Sequence, residues 1–214
     1  MTLISGPLQR LVAKAADEDR ETLLRMQRNA RRLGRLIEQL LALSRLEAGR
    51  LPVNWERREL VFFVRGLAAN FLTPARDRGI EYEVEMPAEE LLVWFDADLL
   101  DKVLVNLLSN AFKFSPDGGR IRLEMKILDE VEVVPVPQPS DSEAEPTTAA
   151  ARTVRFDLSN TGSYIPPEER TIIFDRYRQL EPGDASAGSG IGLALVTELV
   201  AMMAGEIIME SDPD

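Results

Sequence analysis

The sequence predicts an α+β protein: an N-terminal antiparallel helical hairpin followed by an α/β sandwich. Three observations carry this expectation. From Asp19 to Glu47 no proline interrupts an apolar stripe of Leu23, Met26, Ala30, Leu33, Ile37 and Leu40, whose spacing alternates between three and four residues. After Ala48-Gly49 the pattern changes to short alternating runs mixed with helical ones. Those strands and helices are mixed rather than regularly alternating, which predicts a sheet covered on one face by helices.

Taken in order, Ile4, Leu8, Leu11, Val12 and Ala15 mark a short first helix, and Asp17-Glu18-Asp19 separates it from the long second one. Leu36, Leu43 and Leu46 widen the stripe of that second helix. Two helices in a hairpin cannot bury both faces alone, so a second copy is expected, giving a homodimer joined as a four-helix bundle. The alternative is a hairpin folded onto its own chain. Leu51 to Trp55 alternates like a strand, and Glu59 to Arg76 reads as one helix with Leu60, Phe63, Val64, Leu67 and Phe71 on one face. Ile80 to Met86 and Leu91 to Phe95 read as strands around the turn Pro87-Ala88-Glu89. Asp98 to Phe114 is an amphipathic helix stopped by Ser115-Pro116-Asp117-Gly118-Gly119. Ile121 to Leu128 and Val154 to Leu158 alternate and should pair, flanking a Pro/Ser/Glu/Ala-rich insertion at about 130–152 that is expected to be mobile. Gly190 to Ala204 closes the chain as a helix, and Glu206 to Glu210 as a strand. The expected division is 1–49 for the hairpin and 50–214 for the sandwich.

Composition narrows the function. With 36 acidic and 25 basic residues the formal charge is −11, which opposes nucleic-acid binding because phosphate neutralisation needs a basic face. The absence of cysteine excludes disulfides and thiolate metal sites, and the absence of histidine removes the usual general base. No apolar run approaches the roughly 20 residues that span a bilayer.

Four segments carry chemistry. In "NLLSNAFKFSPDGG", Asn106, Asn110 and Lys113 share one helix face while Leu104, Leu107, Leu108 and Ala111 bury the other. Two carboxamides and an amine on one face suit a phosphate and its magnesium, since an amide oxygen is a hard ligand; taken alone, a solvated polar face explains them as well. "SNTGSYIPPEER" places a glycine turn, Asn160 to Tyr164, after a strand. In "IFDRYRQL", Phe174 and Tyr177 should pack inward and leave Arg176 and Arg178 outside. "GSGIGLAL" runs into a helix, where Gly188, Gly190 and Gly192 let the backbone approach phosphates. It does not follow a strand, so a dinucleotide-binding fingerprint is not met.

In this order the segments resemble the catalytic and ATP-binding domain of sensor histidine kinases, in the GHKL ATPase superfamily. "RNARRLGRLIEQLLALSRLEAGRL" resembles the second helix of their dimerisation and phosphotransfer domain, so the likeness covers nearly the whole chain, closest to hybrid-type two-component sensors. It implies ATP and Mg²⁺ as cofactors, a receiver domain as partner, and a cytoplasmic location within an inner-membrane-anchored protein. Asn110 matches the magnesium ligand, Asn106 the polar residue one turn earlier, and Lys113 a phosphate-contacting lysine. Related hydrolysing ATPases tend to carry a glutamate base at the position of Asn106; an amide cannot take a proton from water, which suits transfer to a protein acceptor. Gly188, Ser189, Gly190, Ile191, Gly192 and Leu193 match the second glycine box, Glu181 to Ala187 a short lid, and Asn160, Gly162, Tyr164, Ile165 and Arg176 the remaining nucleotide contacts.

The chain departs from that pattern twice. It has no histidine, although a histidine box in the resembled family precedes a stretch like "TLISGPL". A fragment cut just after that box, and before the closing strand, is the expectation. The first glycine box typically reads Asp-x-Gly-x-Gly, its aspartate accepting from the adenine amino group, whereas here Asn160 and Tyr164 replace the aspartate and the second glycine. Losing charge assistance should cost about 1 kcal/mol. Tyr164 either packs under the turn, lies near the base, or forces a different backbone. A degenerate module kept as a dimeric scaffold is the competing function.

Overall fold

One helix organises the described residues beyond 52. The protein is described by a computed structural model over residues 6, 7, 11, 17–47, 52–135, 148–162, 164–176, 178 and 190–213. Helix α1 (Asp17–Glu47) is continuous, and its stripe residues Met26, Leu33, Ile37 and Leu40 are each about half exposed in the single chain. Apart from 6, 7 and 11, the first helix of the expected hairpin lies outside the described residues. At the far end of α1, Leu46 packs with Val53 against the sandwich.

The expected long helix at 59–76 is two helices, α2 (Leu60–Ala69) and α3 (Leu72–Asp77). Pro74 explains the break. Inside a continuous helix it would remove the bond to the Asn70 carbonyl and clash with it, whereas the first turn of a new helix tolerates it. Strand β1 (Glu56–Glu59) starts five residues later than the alternation of 51–55 implies. The Asn54 amide is taken instead by the Asp96 carboxylate, Oδ2 accepting at 2.6 Å.

Strands β2 (Glu81–Glu85) and β3 (Leu92–Phe95) do not form the hairpin that their shared turn implies. β3 pairs antiparallel with β1, while β2 runs parallel to β4 (Arg120–Pro135). Glu59 accounts for the split. Its carboxylate accepts from the Val61 amide (3.0 Å), from the Phe62 amide and from the Leu91 amide (2.9 Å), and Leu60 N–H donates to the Leu91 carbonyl at 2.8 Å. The chain entering β3 is thereby committed to the start of α2. Partial burial works to raise the Glu59 carboxyl, but the three backbone N–H groups outweigh it and hold the group below its ordinary value.

β4 and β5 (Thr148–Asn160) pair antiparallel as expected, completing a sheet of order β2-β4-β5. The ladder continues through Glu132↔Ala151 to Pro135↔Thr148, so the flanks of the insertion are paired strands; residues 136–147 lie outside the described residues. Ile121, Leu123 and Met125 point into the core, and the intervening residues face out in ion pairs, Arg120 with Glu81 and Arg122 with Glu85, each at 2.8 Å. Helices thus cover one face only. Exposed pairs of this kind contribute little stability, so the covered face is what holds the sheet.

Helix α4 (Ala97–Phe114) lies at the centre of that cover. Leu100, Leu104 and Leu108 join the main core with α2 and the sheet, Ala111 and Phe112 a second cluster with Ala75 and Ile80, and Leu99 and Val103 a third with helix α5 (Gly192–Met202). Asp96 caps α4, Oδ1 accepting from the Leu99 amide at 2.9 Å, and is 3% exposed. Beyond α5 the chain turns at Ala204 and runs through 206–213 without regular secondary structure, so the expected final strand is absent among the described residues. Its Ser211 hydroxyl instead accepts from the Ile165 amide at 3.0 Å.

Candidate nucleotide site

The polar face of α4 is the first component. Leu104 and Leu108, 2% and 0% exposed, clamp the helix on either side of Asn106, leaving Asn106 and Asn110 half-buried and Lys113 at the surface. Asn106 Nδ2 donates back to the Lys102 carbonyl at 2.6 Å, and Lys113 Nζ lies 4.3 Å from the centre of the Phe114 ring. Among the described residues the Asn110 carboxamide has no hydrogen-bond partner. Half-buried, it is suited to an incoming hard cation. No three acidic, histidine or cysteine side chains cluster to hold a metal among the described residues. A lone amide oxygen nevertheless fits Mg²⁺, which takes most of its ligands from phosphate and water.

The second component is the turn after β5, and one contact joins the two. Gly162 sits at φ +145°, and a Cβ there would collide with the Phe114 carbonyl oxygen and lie 3.1 Å from its carbon. Only glycine lets the turn press against the C-terminal end of α4. Thr161 fastens the same turn to β4: its amide donates to the Arg120 carbonyl at 2.9 Å, and its Oγ1 accepts from the Arg120 amide at 2.8 Å. Asn160 is exposed, its Nδ2 donating to the Thr161 carbonyl at 3.2 Å. Tyr164 is 42% exposed, so its ring does not fill the core beneath the turn. Ile165 is half-buried, its carbonyl accepting from Arg170 Nε at 3.2 Å.

The third component is the start of α5. Gly190 adopts φ +66°, a left-handed turn, Ile191 is buried, and Gly192 and Leu193 are half-buried. Leu195, Val196 and Leu199 seat α5 on Leu99 and Val103, so the glycine end of α5 is carried by the helix that carries the asparagines. Arg176, expected to project outward, does so, and is tied to Glu198 of α5 at 3.5 Å. Gly188, Ser189, Tyr177 and the lid 181–187 lie outside the described residues.

Sequence reasoning missed the residues that hold α4 in place. Arg78 closes its C-terminal end, donating to the carbonyls of Phe112 and Ser115, the latter at 2.7 Å, while its Nε pairs with Asp117 at 2.7 Å. A lone arginine before a strand carries no such signal, because its partners lie more than thirty positions away. Asp96 does carry one, a helix-capping residue directly before an apolar helix. Tyr82 supports the same end, with its ring 5.3 Å from Phe112 and its hydroxyl donating to the Ala68 carbonyl at 3.3 Å. Burial pushes that hydroxyl up to about 12.

An amide-bearing helix face, joined through a glycine turn to one edge of a helix-backed sheet, defines a nucleotide-handling class of α+β domain. Residues 95–214 match the family described as histidine kinase-, DNA gyrase B- and HSP90-like ATPase, and this chain belongs to that family; residues 1–49 match the His kinase A (phospho-acceptor) domain. ATP is accordingly the nucleotide of the family. Hybrid signal transduction histidine kinase D of Dictyostelium discoideum is 32% identical over 99% of this chain, and the sensor histidine kinase TmoS of Ectopseudomonas mendocina 29% over all of it. The chain spans 13% and 20% of the length of those two relatives. The fold is shared with full-length ShkA in complex with AMPPNP (TM-score 0.65, 24% identity, 94% of this chain and 39% of that one). It is shared also with the Acinetobacter baumannii histidine kinase AdeS (TM-score 0.64, 17% identity, 98% of this chain and 87% of that one). No described helix is long and apolar enough to cross a membrane.

Proposed function

We propose that residues 50–214 form the ATP-binding catalytic domain of a two-component sensor histidine kinase and that residues 1–49 belong to its dimerisation and phosphotransfer helices. The supporting observation is the contact of Gly162 with the Phe114 carbonyl, which sets a base-side turn against the end of the helix that bears Asn106, Asn110 and Lys113. In this reading the purine lies against Asn160, Gly162, Tyr164 and Ile165. The phosphates meet Lys113 and the backbone from Gly188 through Ser189, Gly190, Ile191 and Gly192 to Leu193, with Arg176 beside them. Asn110 would hold Mg²⁺, which supplies neutralisation of phosphate charge when bound. Asn106 keeps an amide where a carboxylate would deprotonate water, so the site favours moving the γ-phosphoryl to a protein nitrogen over hydrolysis.

The accepting histidine is not among these 214 residues. From it the phosphoryl passes to an aspartate of a receiver domain. The half-exposed stripe on α1 supports a second copy of the chain as partner, since a single copy leaves those side chains in water. Use of ATP implies work on the cytoplasmic side.

Calorimetric titration of Mg-ATP into this chain tests the reading. Saturable binding is expected, and Asn110→Ala should weaken it at least about tenfold with an unchanged circular-dichroism spectrum, the scale of a lost charge-assisted contact. No heat at high-micromolar nucleotide, or equal affinity in the variant, overturns it in favour of a scaffold.

A further inference from the structure

We infer that Asn160 lets the base end of this site accept either hydrogen-bonding sense at the purine 6-position, so that the chain binds a 6-oxopurine triphosphate as well as ATP. This rests on the reading of the turn after β5 as the base wall. A carboxylate at the end of β5 would be acceptor-only: it would receive a 6-amino group and repel a 6-oxo group. A carboxamide carries both functions, and the structure shows which holds it. Asn160 Nδ2 donates to the Thr161 carbonyl at 3.2 Å, at the long end of the range for such a bond, which leaves Oδ1 as the acceptor of this exposed side chain. The side chain is exposed, so no packing locks its amide plane, and the terminal torsion of asparagine is broad. Turning the amide over presents Nδ2 as a donor and costs that single long bond.

The backbone beneath does not move with the choice. Asn160 is paired with Ile121, which is fully buried, and the next two residues are fixed by Arg120 and by the Phe114 carbonyl. Nor does Thr161 enforce one sense, because its hydroxyl is spent on the Arg120 backbone, accepting from the amide at 2.8 Å and facing the carbonyl at 3.4 Å. Among the described side chains of the turn, that leaves Asn160 as the group able to tell a 6-amino from a 6-oxo purine. The half-exposed Tyr164 ring offers a face that stacks on either.

The experiment is displacement of a fluorescent trinitrophenyl-ATP from this chain by ATP and by GTP, with Mg²⁺ present, repeated on Asn160→Asp and Asn160→Ala. The native chain should bind the two nucleotides within about fivefold of each other, a gap no larger than one neutral hydrogen bond. Asn160→Asp should tighten ATP several-fold and weaken GTP at least about tenfold, since a site built for one polar partner strongly rejects its opposite. Asn160→Ala should weaken both and keep their ratio near one. The inference is overturned if the native chain already prefers ATP as strongly as Asn160→Asp does, or if neither variant changes the ratio. ATP binding with GTP exclusion sinks this inference alone. Failure of both nucleotides to displace the probe sinks the nucleotide reading with it.

Discussion

The two halves of the candidate site are built on opposite principles. Asn106 and Asn110 ride on α4, a helix buried along three separate clusters, capped at its start by Asp96 and closed at its end by Arg78. Asn160 and Tyr164 ride on an exposed turn whose position depends on a few backbone bonds and on the missing side chain of Gly162. The α4 side, proposed for the phosphates, is thus held by hydrophobic volume, and the turn proposed for the base by local geometry. Changes of side-chain chemistry at this exposed turn leave the core untouched, so Asn160 and Tyr164 can vary without disturbing α4.

This contrast can be broken most strongly from the core side. Leu108→Ala empties a fully buried position between Asn106 and Asn110, and should cost about 2–5 kcal/mol of unfolding free energy, read from a denaturant titration. Nucleotide affinity should fall with it, because Leu108 seats the turn of α4 that carries both asparagines.

Gly162→Ala attacks the joint. A methyl group at φ +145° facing a backbone carbonyl must displace the turn, at a cost of about 1–3 kcal/mol in strain. Here ATP affinity should drop more than stability does, the reverse of the Leu108 variant. If stability alone suffers, the turn is not the base wall.

The smallest effect is set by pH. Tyr82 braces the C-terminal end of α4 and its hydroxyl is raised to about 12 from an ordinary 10. A group whose folded value is raised contributes fully below its unfolded value and loses that contribution as pH climbs to the folded one. Stability should therefore fall between pH 10 and about 12, and Tyr82→Phe should flatten that stretch of a pH–melting profile. An unchanged profile in the variant would remove Tyr82 from the support of α4.

Much of this was legible in sequence. The apolar spacing of 98–114 marked α4 and placed Asn106, Asn110 and Lys113 together, because helix geometry relates residues three and four apart with no outside help. Alternation in 121–128 and 154–158 marked two strands that do pair. What could not be read were the choices between partners. Nothing local to 80–95 says that β2 joins β4 while β3 joins β1; that outcome follows from Glu59 binding the Leu91 amide across 32 positions. The split of α2 from α3 is written in Pro74, but the continuous apolar face from Leu60 to Phe71 masks it.

Sequence by itself determined the helix stripes, the strand faces, the amide face of α4 and the glycine at the turn, all consequences of backbone periods and of the conformations a residue permits. Tertiary structure decided how those pieces meet: that α4 is enclosed on three sides, that Arg78 closes its end, and that Gly162 rests on the Phe114 carbonyl. Those contacts join residues from about 35 to nearly 100 positions apart, and their energies arise only once the chain has closed on itself.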